Sequence, residues 1–110
     1  MGIGGPRGFR SRLSRRVVVR REARDELSEA TAWYRSKSPV VAAAFRTVVR
    51  ETITNISDRP ASFVEVANGV RRALTRRFPY AVFFAEDGRV IVVLAIMHQA
   101  QDPATWPKGV

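Results

Sequence analysis

A chain of 110 residues with 45% hydrophobic side chains has material for one compact core and not for two. Its lack of cysteine and its single histidine exclude a disulfide framework and a thiolate metal site, so no metal and no cofactor is expected. The formal net charge of +9 is nearly all arginine, which suits bidentate contact with polyanions such as nucleic acid or an acidic protein segment.

Residues 1–15 mix Gly2, Gly4, Gly5, Pro6 and Gly8 with Arg7, Arg10, Arg12 and Arg15. That composition cannot bury enough surface to order itself, so a disordered basic leader is expected there, followed by a single domain over residues 16–110. The leader reads equally as a nucleic-acid-binding arm or as the product of an upstream start codon. Without it, fifteen basic side chains face ten acidic ones, and the domain keeps +5.

Val17, Val18 and Val19 are β-branched and predict a first strand. From Glu22 the period changes: Ala23, Leu27, Ala30 and Tyr34 recur at helical spacing, with acidic residues early and Arg35 and Lys37 late, matching the helix dipole. Ser38-Pro39 then supplies an N-cap and a first-turn proline, and the stripe Ala42, Phe45, Val49, Ile53, Ile56 predicts a second helix to about Ser57. Two such helices across a tight break predict an antiparallel hairpin.

A loop holding Pro60, Asn68 and Gly69 is expected next, then a strand over Val70 to Thr75 and another carrying Phe78, Tyr80, Val82 and Phe84 on one face. Asp87-Gly88 is a two-residue hairpin signal. Val90 to Met97 is apolar at odd and even positions alike, which predicts a central strand buried on both faces. That run is far short of the roughly 20 residues needed to span a bilayer, and the first residues lack a secretory apolar stretch, so a cytoplasmic protein without a membrane partner is expected. The fold class is α+β: strand, helical hairpin, then a three-stranded antiparallel meander, with the helices covering one face of one sheet (β-α-α-β-β-β).

That order, with its local strings, resembles the RelE/ParE toxin superfamily, which includes proteins described as plasmid stabilisation proteins. The strings are Ala23-Arg24-Asp25-Glu26-Leu27, Trp33-Tyr34, Ala44-Phe45, Val70-Arg71-Arg72, Arg77-Phe78-Pro79-Tyr80, His98, Asp102-Pro103 and Trp106. Their shared order across residues 16 to 106 carries the resemblance; no one of them is specific alone. The resemblance implies a toxin of a type II toxin–antitoxin system, neutralised in a hetero-oligomer by a cognate antitoxin that covers its working surface. RelE-like members cleave messenger RNA in the ribosome, whereas ParE-like members poison DNA gyrase by binding. Fold alone does not choose between them.

A metal-independent ribonuclease needs groups that activate the ribose hydroxyl, stabilise the phosphorane and protonate the leaving oxygen. Arg71, Arg77, Tyr80 and His98 are the candidates for that chemistry, and Arg71, Arg72, Arg76, Arg77 and Trp106 for contact with target or antitoxin. The plainer readings are a solvated strand edge for the arginines, core packing for Tyr80, and packing of Trp33 under the helical hairpin and of Trp106 onto the sheet. Related sequences place arginines after this histidine and past the tryptophan, where this chain has Gln99-Ala100-Gln101 and Lys108-Gly109. That departure weakens the nuclease reading, and a ParE-like toxin acting by binding is the expectation. A RelE-like endoribonuclease and a non-toxic basic nucleic-acid-binding module are the alternatives. The latter would show binding that falls steeply with salt.

Overall fold

The structure is a computed structural model and describes residues 14–108. The expected leader lies outside the described residues as far as residue 13. At its end the Arg15 N–H donates to the Ser57 carbonyl and the Arg15 guanidinium meets Glu86 at 3.0 Å.

The elements run β1 (Arg16–Val19), α1 (Arg21–Lys37), α2 (Pro39–Asp58), β2 (Val64–Ala67), β3 (Val70–Leu74), β4 (Tyr80–Asp87) and β5 (Val90–His98). They form one sheet in the order β1-β5-β4-β3-β2. β1 lies parallel to β5, from Arg16 opposite Val90 to Val19 opposite Val93, and every other pairing is antiparallel. Parallel neighbours need a long crossover, and the helical hairpin is part of the connection between them.

Ser38 makes the sharp break between the helices. Its N–H closes α1 on the Tyr34 carbonyl, its Oγ accepts the Val41 N–H at 3.3 Å, and Pro39 follows at the first helical position. Buried Phe45 on α2 then packs against Tyr34 of α1 at 4.9 Å between centroids, and against Phe78 and Tyr80 at 5.3 and 5.1 Å. Burying such a ring contributes about 1.5–3 kcal/mol, so this one residue ties both helices to the sheet.

The sheet has five strands where four were expected, because β2 occupies part of the predicted loop. The signal was local: Val64 and Val66 alternate, and Asn68-Gly69 sits between Ala67 and its partner Val70, with Gly69 at φ 76°. Between β4 and β5 the turn centre is Gly88-Arg89 rather than Asp87-Gly88, since Asp87 pairs with Val90 and Gly88 takes φ 63°. Phe78 and Pro79, expected on the strand, belong to the turn before β4. There the Phe78 N–H closes back on the Arg76 carbonyl at 2.7 Å, with Arg77 at φ 66° between them. That geometry is the rare and strained form of γ-turn.

β5 is interior, between β1 and β4, and buried on both faces as its composition predicts. The helix-side core gathers Val49, Ile56, Val82, Phe84, Ile91, Val93 and Ile96, while the opposite face gathers Val70, Ala81, Phe83, Leu94, Ala95 and Met97. Leu94 and Ala95 are adjacent yet share a face, because Phe83 pairs with Ala95 and Phe84 with Val93, leaving Leu94 as an extra residue. This bulge shifts the alternation by one and turns Ile96 and His98 toward the helices.

Candidate functional site

The shifted phase of β5 places His98 directly across from Tyr80, with ring centroids 5.4 Å apart. Both line a groove of about 550 Å³ between α1 and the end of the sheet, with Glu26, Glu29, Trp33 and Tyr34 on its helical wall. Burial, and then the neighbouring Tyr34 phenol, push the Tyr80 hydroxyl above its ordinary range; burial raises Tyr34 likewise. The Ala100 N–H donates to His98 Nδ1 at 3.0 Å, which leaves the proton of the neutral ring on Nε2.

Glu26 marks where the sheet stops being a sheet. β1 ends opposite Val93, and beyond that point the Ile96 N–H donates to Glu26 Oε1 at 2.8 Å. Burial raises this carboxyl above its ordinary value, the Ile96 N–H lowers it, and Glu29 and Glu22 raise it further as like charges.

The other candidate residues are scattered. Arg71 and Arg72 are neighbours in sequence but occupy opposite faces of β3, as strand geometry requires. Arg71 pairs with Phe84 on the helix side, donates to the Phe63 carbonyl at 2.7 Å and approaches Glu65 at 3.9 Å. Its row lies four residues along β4 from Tyr80, roughly 13 Å, so the two do not share a site. Arg72 stacks on Trp106 at 5.2 Å on the opposite face, its Nε buried without an acceptor, and Trp106 in turn packs on Phe83 at 5.2 Å. Trp106 thus pins the tail to the sheet as expected.

Arg76 is exposed and paired with Glu51 of α2 at 2.7 Å. Arg77 projects from its strained turn over the Phe78 ring at 5.7 Å. Trp33, expected under the hairpin, is instead 56% exposed, because it lies one residue off the buried stripe that ends at Tyr34. Glu26, Trp33 and Tyr34 on the groove's helical wall stand in strings that carry the resemblance, but neither Glu26 nor Glu29 was expected at a site, since both match the helix dipole, and only the bulge brings His98 to that side. Among the described residues no group of three metal-ligating side chains occurs, and no helix is long and apolar enough to cross a membrane.

Residues 17–103 match the family described as the ParE toxin of the type II toxin-antitoxin system parDE. The chain belongs to the ParE toxin family. No curated protein matches it. A solved structure titled "Chromosomal ParDE TA system from P. aeruginosa" superposes with a TM-score of 0.69 at 19% identity, covering 77% of this chain and 96% of that one. At that identity the likeness is one of fold, and it agrees with the strand, helical hairpin and sheet described above. The match to the ParE family runs from Val17 within β1 past the end of β5 and takes in every groove residue, while Trp106 lies beyond it.

Proposed function

We propose that this toxin of a type II toxin–antitoxin system arrests growth by binding, with DNA gyrase as its target, in the cytoplasm, and that a cognate antitoxin neutralises it in a hetero-oligomer. The observation that carries the reading is the company Tyr80 and His98 keep. Two carboxylates, Glu26 and Glu29, line their groove, and both repel a phosphodiester. Arg71, one of the arginines offered for phosphate stabilisation, is committed to Phe63 and Glu65 away from them. Ribonuclease chemistry wants the opposite arrangement, with cations beside the proton-transfer groups.

Purified protein should inhibit gyrase supercoiling at the concentrations that arrest growth. Untouched supercoiling at those concentrations sinks the gyrase reading. Toe-printing on ribosomes distinguishes the RelE-like alternative, because new messenger RNA ends after expression would establish cleavage in its place.

A further inference from the structure

The Tyr80–His98 groove runs against the charge of the molecule that holds it. The chain carries +9, yet the groove lining includes Glu26 and Glu29 and, among the described residues, neither lysine nor arginine. Long-range electrostatics on such a protein repel cations, so a cation that settles here is held by local contacts. Those contacts are present. Trp33 and Tyr34 meet edge to face at 5.0 Å, Tyr34 and Tyr80 at 6.3 Å, and His98 closes the far side against Tyr80. Trp33 already draws a cation, since Lys37 Nζ stands 5.3 Å from its ring centre. Glu26 is half-buried and holds one backbone N–H, which leaves it short of a full charge partner.

We infer that this groove takes an arginine side chain carried by a protein partner, the guanidinium lying between the Glu26 and Glu29 carboxylates and the Trp33, Tyr34 and Tyr80 rings. Planar guanidinium lies flat on aromatic walls and meets carboxylates in bidentate fashion at once, whereas a lysine ammonium, though it can face a ring, is more strongly hydrated and makes no bidentate contact. The inference goes beyond the toxin reading. It concerns a basic anchor on the partner, and it stands whether or not gyrase is the target.

The test uses the full chain and a capped peptide Ala-Arg-Ala-Arg-Ala, with lysine and glutamate versions alongside. The two indole N–H resonances are the readout, because Trp33 lines the groove and Trp106 packs on the opposite face of the sheet. The arginine peptide should move the Trp33 resonance saturably and leave Trp106 still, with the lysine peptide several-fold weaker and the glutamate peptide inert. The double variant E26Q/E29Q keeps an acceptor for the Ile96 N–H and should weaken binding by about tenfold or more.

No saturable shift at Trp33, equal shifts at both indoles, or unchanged affinity in E26Q/E29Q would each overturn the inference. A Trp33 resonance that moves with protein concentration alone would give the groove to a second copy of the chain, and would overturn it too. None of these readouts depends on growth arrest or on gyrase, so the peptide result and the supercoiling result fail separately.

Discussion

Glu26 shows how much one side chain decides here, because it finishes a strand edge that β1 leaves open. Its carboxyl sits above the ordinary 4.5, chiefly through burial, so the folded chain holds that proton where the unfolded chain has released it. The stability it contributes is present below pH 4.5 and is lost as pH rises through the folded value. Glu26→Gln should flatten that fall, read as urea midpoints from about pH 4 to about pH 7. Glu26→Ala strands the Ile96 N–H and should cost about 1–3 kcal/mol in the same measurement. Arg77 poses a backbone question of the same size. At φ 66° a β-branched side chain is strongly disfavoured, so Arg77→Val should be less stable than Arg77→Gly by about 1 kcal/mol or more. Both variants lose the contact with Phe78, so the difference between them isolates the backbone.

Between elements, the decisive contact is Phe45, which touches a ring on α1, one in the β3–β4 turn and one on β4. Phe45→Ala should cost about 3–5 kcal/mol by thermal or urea unfolding, and it should loosen the helical wall of the groove before the sheet itself opens. The helices were legible because their apolar period, the Ser38-Pro39 break and the end charges all agree. β5 was legible because a strand buried on both faces has no reason to alternate. β2 escaped because four residues with one half-buried valine make a weak signal, and the pairing that stabilises them comes from β3. The bulge at Leu94 left no mark in composition, since both residues around it are apolar.

At the scale of the whole molecule Arg71 and Arg72 divide by face, and this separates two effects that sequence proximity would merge. Arg71 is held on the helix side by a backbone carbonyl, whereas Arg72 lies against Trp106 on the face the helices leave uncovered. If an acidic antitoxin segment lies on that second face, Arg72→Glu should weaken the complex by about tenfold or more by calorimetry. Arg71→Glu should lower stability through the lost Phe63 contact and leave the affinity of the folded fraction nearly unchanged. Equal loss of affinity in both would contradict the placement. The complex should also weaken as salt rises, since exposed charge pairs are screened.

The sequence by itself determined the α+β class, the helical hairpin, the doubly buried strand and the superfamily, because each rests on local periodicity, capping or an ordered set of short strings. The tertiary structure decided which side chains meet. A single extra residue in β5 turns His98 to Tyr80, the early end of β1 hands an unpaired N–H to Glu26, and alternation in β3 sends Arg71 and Arg72 to opposite faces. Those outcomes depend on register between strands distant in the chain. Register is fixed by packing that no local stretch of sequence contains.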